Sequence, residues 1–254
     1  MMKIRMVYLV LVSSLFFAGC NAHLYSPPSR FATTDGPAVL DQGETALSGQ
    51  YATGGEVFGG EFHGAGVHGR HGLTDELEIS GSAQYLLISG SRPTAAGEPS
   101  PEATNFPESE TWPLTMGRVG VTWAPEASKG HFALTGGVGG GHSDAGGFVS
   151  PDIGFSLGYH NPYVVPFVAF SGFVSQPIDA TENDISDNGA PAEWAKPELT
   201  YGIQATLGLR GEIPAADQQA IALMAGISMT QLVDQSDEDS SVYAGAVIEA
   251  GYHF

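Results

Sequence analysis

From Ser241 to Phe254 the chain alternates without a slip and then stops at an aromatic residue. Val242, Ala244, Ala246, Ile248, Ala250, Tyr252 and Phe254 share one parity, while Ser241, Tyr243, Gly245, Val247, Glu249, Gly251 and His253 share the other. Side chains of a strand point to opposite faces with a period of two, so this stretch predicts a β-strand with one wholly apolar face and one mixed face. A strand of that kind can set its apolar face against lipid and its mixed face against a polar interior.

The same alternation recurs up the chain. Strands are expected near 44–54, 57–71, 76–90, 112–124, 130–142, 147–159, 164–175, 198–211, 219–232 and 241–254, ten in all. The connections alternate between short ones, at 72–75, 125–129, 160–163 and 212–218, and mostly longer ones, at 91–111, 143–146, 176–197 and 233–240; a tight hairpin is expected near Gly54 and Gly55. An even strand count with short turns at one end and long loops at the other is the plan of an up-and-down antiparallel transmembrane β-barrel, here of about ten strands within a range of 8 to 12. Leu199, Tyr201, Ile203, Ala205, Leu207 and Leu209 oppose Thr200, Gly202, Gln204, Thr206, Gly208 and Arg210, and Leu77, Ile79, Ala83, Tyr85 and Leu87 oppose Glu78, Ser80, Ser82 and Gln84. Trp123, Tyr159 and Tyr252 fall at the short-turn end and Tyr51, Tyr85 and Tyr201 nearer the long-loop end, which predicts two aromatic girdles.

Some stretches fit less well. Phe58 and Phe62 lie on one parity and Ala65 and Val67 on the other, which predicts a bulge among Gly59 to Gly66. Residues 164–175 are apolar on both faces, and Pro151 and Pro166 are expected near strand ends, where a lost ladder hydrogen bond is tolerated.

Two short motifs add resemblances. Gly251-Tyr252-His253-Phe254 resembles the closing strand of bacterial outer-membrane β-barrels, and the resemblance implies that Tyr252 and Phe254 are read by the barrel insertion machinery. Arg70-His71-Gly72-Leu73-Thr74-Asp75 resembles the Arg-aromatic-Gly-Leu-Thr-Asp hairpin of outer-membrane channel proteins, with His71 where an aromatic is usual. The resemblance is to small porin-like or OmpA-like barrels and implies a Gram-negative outer-membrane location.

The first residues describe a secretory signal: Lys3 and Arg5, the apolar run Met6 to Ala18 interrupted by Ser13 and Ser14, then Gly19-Cys20. Phe17-Ala18-Gly19-Cys20 resembles the bacterial lipobox, which implies a signal over 1–19 and lipidation of Cys20, the chain's single cysteine. Residues 20–42, rich in Pro, Ser, Thr and Ala and without period, read as a lipidated periplasmic tether that could also fold into the lumen as a plug, ahead of a barrel over 43–254.

Beyond the signal, 28 acids stand against seven bases. Nucleic acid and anionic lipid surfaces are poor partners for such a chain. Mean hydropathy of -0.01 neither favours nor opposes a barrel, since only every second residue need be apolar. Acids crowd the expected outer loops, as in Asp237-Glu238-Asp239, where divalent cations could be attracted although the spacing of a dedicated calcium loop is missing.

Arg70, Arg118 and Arg210 are expected to face inward with Glu78 and Glu249 at similar depth, as a lumen charge network that either closes the barrel or lines a selective path. His68 and His71, three apart on a strand, point to opposite faces and do not form a metal pair. No catalytic, cofactor or metal-ligating set is expected, and the protein is read as no enzyme; a barrel hydrolase would have to use Asp152 or Glu198. The function expected is a narrow or closed barrel for envelope structure, surface interaction or passive small-solute passage, with a soluble β-sandwich binding lipoprotein as the alternative fold.

Overall fold

The computed structural model describes residues 26–56, 61–91, 109–143, 146–159, 161, 164–179, 197–216, 219–235 and 240–254. Ten strands close into one antiparallel barrel: β1 (Thr45–Glu56), β2 (Glu61–Thr74), β3 (Leu77–Ser91), β4 (Ser109–Trp123), β5 (Phe132–Ser143), β6 (Gly146–Gly158), β7 (Val164–Ile178), β8 (Thr200–Ala216), β9 (Gln219–Asp234) and β10 (Ser240–His253). Each strand pairs with its neighbours in sequence, and β1 pairs with β10, Ala46 opposite His253 and Glu56 opposite Tyr243. Closure leaves no sheet edge unpaired, which removes the exposed backbone groups that an open sheet presents. One sheet closed on itself replaces the two-layered sandwich that the alternation also allowed.

The alternation decides which way each strand faces. Ile153, Ile203, Leu207, Ile227 and Ile248 project from the outer surface, with Ile153 74% exposed. The residues between them, such as Ser150, Thr206, Ser228 and Thr230, are buried inside. The barrel is thus apolar outside and polar within, the reverse of a water-soluble protein, and its apolar outer surface is far larger than the patches soluble monomers expose. Trp123, Tyr159, Tyr252, Tyr51, Tyr85 and Tyr201 all lie on that outer surface.

Three local expectations are corrected. β1 continues through Gly54 and Gly55 to Glu56, with Gly55 opposite Glu61, so no hairpin forms at the two glycines. β2 alternates regularly from Glu61 onward, and its register with β3 shifts only between Gly72 and Thr74; Phe58 to Gly60 lie outside the described residues. Phe62 faces inward on that alternation, so no bulge is needed to account for it. Pro151 sits in the middle of β6 rather than near its end. It faces Val138 on β5, and the ladder to β7 resumes only at Asp152, opposite Phe173, after Val149 opposite Gln176. Pro166 does lie near the start of β7, opposite Leu209.

The barrel has two distinct ends. Thr45, Phe254 and the turns β2–β3, β4–β5, β6–β7 and β8–β9 share one end, called here the near end; the far end carries the remaining connections. Phe254 closes the near end by exchanging two backbone hydrogen bonds with Thr45, both 2.9 Å.

A lumen filled by its own N-terminal segment

Residues 26–40 lie inside the barrel and Asp41 and Gln42 emerge at its near mouth, so the aperiodic stretch takes the lumenal course of the two open to it. Ser26, Ser29, Arg30, Phe31, Thr33, Asp35 and Leu40 are all buried. A segment without regular structure must satisfy its backbone groups elsewhere, and here the inner wall does so. Thr206 Oγ1 accepts from the Thr33 amide, Glu78 Oε2 from the Leu40 amide, and the Ala38 carbonyl accepts from Arg70. Gln204 donates to the Arg30 carbonyl and accepts from the Thr33 hydroxyl.

The wall is shaped to fit the segment. A Cβ at Gly158 would stand 2.6 Å from Pro37 Cγ, and one at Gly139 would stand 2.5 Å from Ser29 Cβ. Neither distance occurs between real side chains; at Gly158 the segment's Pro37 is the nearest obstacle, while at Gly139 the Gly117 carbonyl on the wall stands equally close. Phe31 stacks on Phe62 with ring centroids 4.6 Å apart, within a cluster that includes Leu86, Leu114, Met116 and Phe148. Ala32 packs with Phe167, Ala169, Met224 and Val247. These contacts explain why β7 is apolar on both faces: one face lies outside, the other against the segment.

The charged residues of the lumen form one extended chain and two smaller groups. Asp152 accepts two bonds from Arg118, 2.6 Å from Nε and 2.7 Å from Nη2, in the fork geometry of a guanidinium on a carboxylate. Arg30 of the segment reaches the same carboxylate at 3.1 Å and Asp35 at 2.9 Å, and the Ser29 hydroxyl donates to Asp152 at 3.3 Å. The chain continues from Asp35 to His68 at 3.6 Å and from His68 to Glu249 at 3.8 Å. Arg118 lies over Gly120 and Gly137, where a Cβ would meet its guanidinium at 2.4 Å.

Separately, Arg70 makes two 2.7 Å bonds to Glu78, whose side chain is wholly buried. Arg210 lies 3.2 Å from His253 Nε2 and 3.5 Å from Glu212. Four buried guanidiniums, Arg30, Arg70, Arg118 and Arg210, thus share the lumen with four carboxylates, Asp35, Glu78, Asp152 and Glu249, whose side chains are at most 9% exposed. Four of the seven bases beyond the signal stand in the lumen, so its charge is balanced although the chain is strongly acidic. A buried charge stripped of water is costly unless it is paired, and this is the balance that burial demands.

All five residues expected to form the charge network face inward, but only Arg70 and Glu78 pair among themselves. Arg118 pairs with Asp152, Glu249 lies nearest His68, and Arg210 turns to His253 and Glu212. Asp152, singled out from sequence only as an acid that a barrel hydrolase would have to use, is the centre of the network. Arg30 and Asp35 could not have been placed from sequence, since they lie in the stretch without period. The one available signal was that 20–42 could plug the lumen and carries both charges.

His71 stands apart from His68 as its parity required, with its ring 2.9 Å from the Thr45 hydroxyl. Glu198 is exposed just ahead of β8. Among the described residues no group of His, Cys, Asp and Glu is arranged to hold a metal ion. Cys20 and the acids Asp237, Glu238 and Asp239 lie outside the described residues. Tyr252 and Phe254 share the outer face, with ring centroids 6.3 Å apart.

No protein-family model matches this chain, and no curated protein matches it in sequence. Among solved structures it is similar to an outer membrane channel from Pseudomonas putida F1, at 11% identity over 89% of this chain and 100% of that one, with a TM-score of 0.42. It is also similar to the outer membrane protein OprG from Pseudomonas aeruginosa (10% identity, 87% and 99% covered, TM-score 0.33). A third is the outer membrane protease OmpT from Escherichia coli (8% identity, 83% and 96% covered, TM-score 0.35).

Proposed function

We propose that this protein is a lipid-anchored β-barrel of the Gram-negative outer membrane, closed by its own N-terminal segment and serving envelope structure or surface interaction. One observation carries the closed state: residues 26–40 occupy the lumen and are fixed there by Arg30 on Asp152, by Leu40 on Glu78 and by Phe31 on Phe62. Eight strands leave a lumen that side chains alone can fill; in this ten-strand barrel the seated segment takes up the added space, so it leaves no water path. Passive passage of small solutes would require that segment to leave its seat.

The membrane location is supported by the inverted distribution of side chains and by the aromatic residues near both ends of the outer face. Outer-membrane lipid would cover that face, and the insertion machinery would meet Tyr252 and Phe254 on it. The lipid anchor rests on the lipobox-like residues ending at Cys20. No catalytic step is assigned: Asp152, the acid that a barrel hydrolase would need, is taken up by two arginines and a serine.

Conductance of the folded protein in a planar bilayer tests the closed state. Inserted protein, recognised by a gel mobility that changes on boiling, should be electrically silent. Stable unitary steps from the unaltered chain would overturn it.

A further inference from the structure

The lumenal segment runs in one direction, and that direction fixes where the chain ahead of it must be. Ser26 is held at the far end: its amide donates to Thr200 Oγ1 at 2.9 Å, and its hydroxyl lies 2.8 Å from that of Ser175, which also bonds the Pro27 carbonyl. Thr200 opens β8 and Ser175 lies in the last turns of β7 before Ile178, both at the far end. Midway down, Arg30 meets Asp152. At the near end Ala38 meets Arg70, Leu40 meets Glu78, and the Gln42 amide donates to Asp75 of the β2–β3 turn. The segment thus enters at the far mouth and leaves at the near mouth, where Thr45 begins β1.

From this we infer that the chain ahead of Ser26 emerges at the outer mouth of the barrel, so that the end produced at Cys20 is displayed on the cell surface and its acyl chains enter the outer leaflet. The inference rests on the membrane reading above, in which the short-turn near end faces the periplasm and the far end faces outward.

Reach excludes the opposite course. Cys20 and Ser26 are six residues apart, a span of about 20 Å when fully extended. From Ser175 to Val164 at the near end, β7 runs about 36 Å at roughly 3.3 Å per residue, or about 28 Å along the axis at a tilt of roughly 40°. The lumen along that path is already filled by residues 26–40. An acyl chain on Cys20 therefore cannot reach the periplasmic leaflet while Ser26 holds Ser175 and Thr200.

A tether that crosses the barrel also links anchor and fold. Residues 26–40 lie within the closed sheet, held to its inner wall from Ser26 to Leu40.

Impermeant thiol labelling of intact cells tests the topology. One variant carries His23→Cys, the other Ala127→Cys in the exposed near-end turn between β4 and β5. Because Cys20 is acylated in this reading, each variant has one free thiol. Labelling of the His23→Cys chain on intact cells, with the Ala127→Cys chain labelled only after the outer membrane is opened, is the expected result. Labelling of both only after opening would overturn the inference while leaving the membrane reading intact. Intact-cell labelling of the Ala127→Cys chain but not the His23→Cys chain would mean an inverted barrel, and loss of both from the membrane fraction would mean the membrane reading itself fails. To exclude shielding of a single thiol, a ten-residue epitope inserted between His23 and Leu24 gives a second readout. Antibody binding to intact cells supports the outer location, and binding confined to opened cells overturns it.

Discussion

Arg30, in a segment without regular structure, places Nη2 3.1 Å from Asp152 Oδ1 in the middle of β6, 122 residues away in sequence. Arg118 holds both oxygens of the same carboxylate, so Asp152 joins the wall of the barrel to the chain that fills it.

Replacing Asp152 with Asn should therefore leave the buried Arg118 guanidinium without its counter-charge and Arg30 with Asp35 alone. Breaking one buried pair costs about 3–5 kcal/mol. The expected outcome is a lower temperature for the gel shift of the folded form, together with intermittent conductance as the segment loosens. A variant indistinguishable from the parent in both measurements would show that the arginines do not hold the segment.

Gly158 and Gly49 make a matched pair. A methyl at Gly158 would meet Pro37 at 2.6 Å, whereas one at Gly49 on the outer face would meet nothing within 4 Å. Gly158→Ala should cost about 1–3 kcal/mol through overpacking and increase protease access to residues 26–42. Gly49→Ala should be close to neutral in the same thermal and proteolysis assays.

Leu207 is 58% exposed on the outer face, flanked by Val168 and Ile227. Against lipid, Leu207→Lys should destabilise the barrel by about 2–4 kcal/mol if it lies near the bilayer midplane. Against water, an exposed substitution of this kind would change stability by only about 0.5 kcal/mol. Folding titrations in lipid vesicles distinguish the two.

Cys20→Ser should abolish metabolic labelling with a fatty acid while the barrel still folds, because every contact that seats residues 26–42 begins at Ser26. Retained label would place the acylation elsewhere.

The parts legible in sequence are those that depend on a local period. Strand number, inward and outward faces and the two sets of aromatics all follow from alternation within single strands, which is why β3, β6, β8 and β10 needed no correction of face. Departures came where another part of the molecule intervened. Phe62 broke the expected pattern because Phe31 covers it, and β7 read as apolar on both faces because Ala32 and Gly36 pack within the barrel. The inward arginines and acids were visible as inward, since parity alone assigns them. Their partners were not, because parity carries no information about which strands face each other across a lumen.

What the sequence determined by itself was about ten alternating strands with an apolar outer face and charges on the inner one, a consequence of side chains alternating at every second residue. Closure of the sheet, rather than a sandwich, came with the tertiary structure. Only the tertiary structure decided that the barrel is filled, that Asp152 rather than Glu249 receives Arg118, and that residues 26–42 run from the far end to the near end. The physical reason is that closing the sheet brings residues more than a hundred positions apart within hydrogen-bonding distance. A segment without period has no local signal of its own to say which wall will satisfy it.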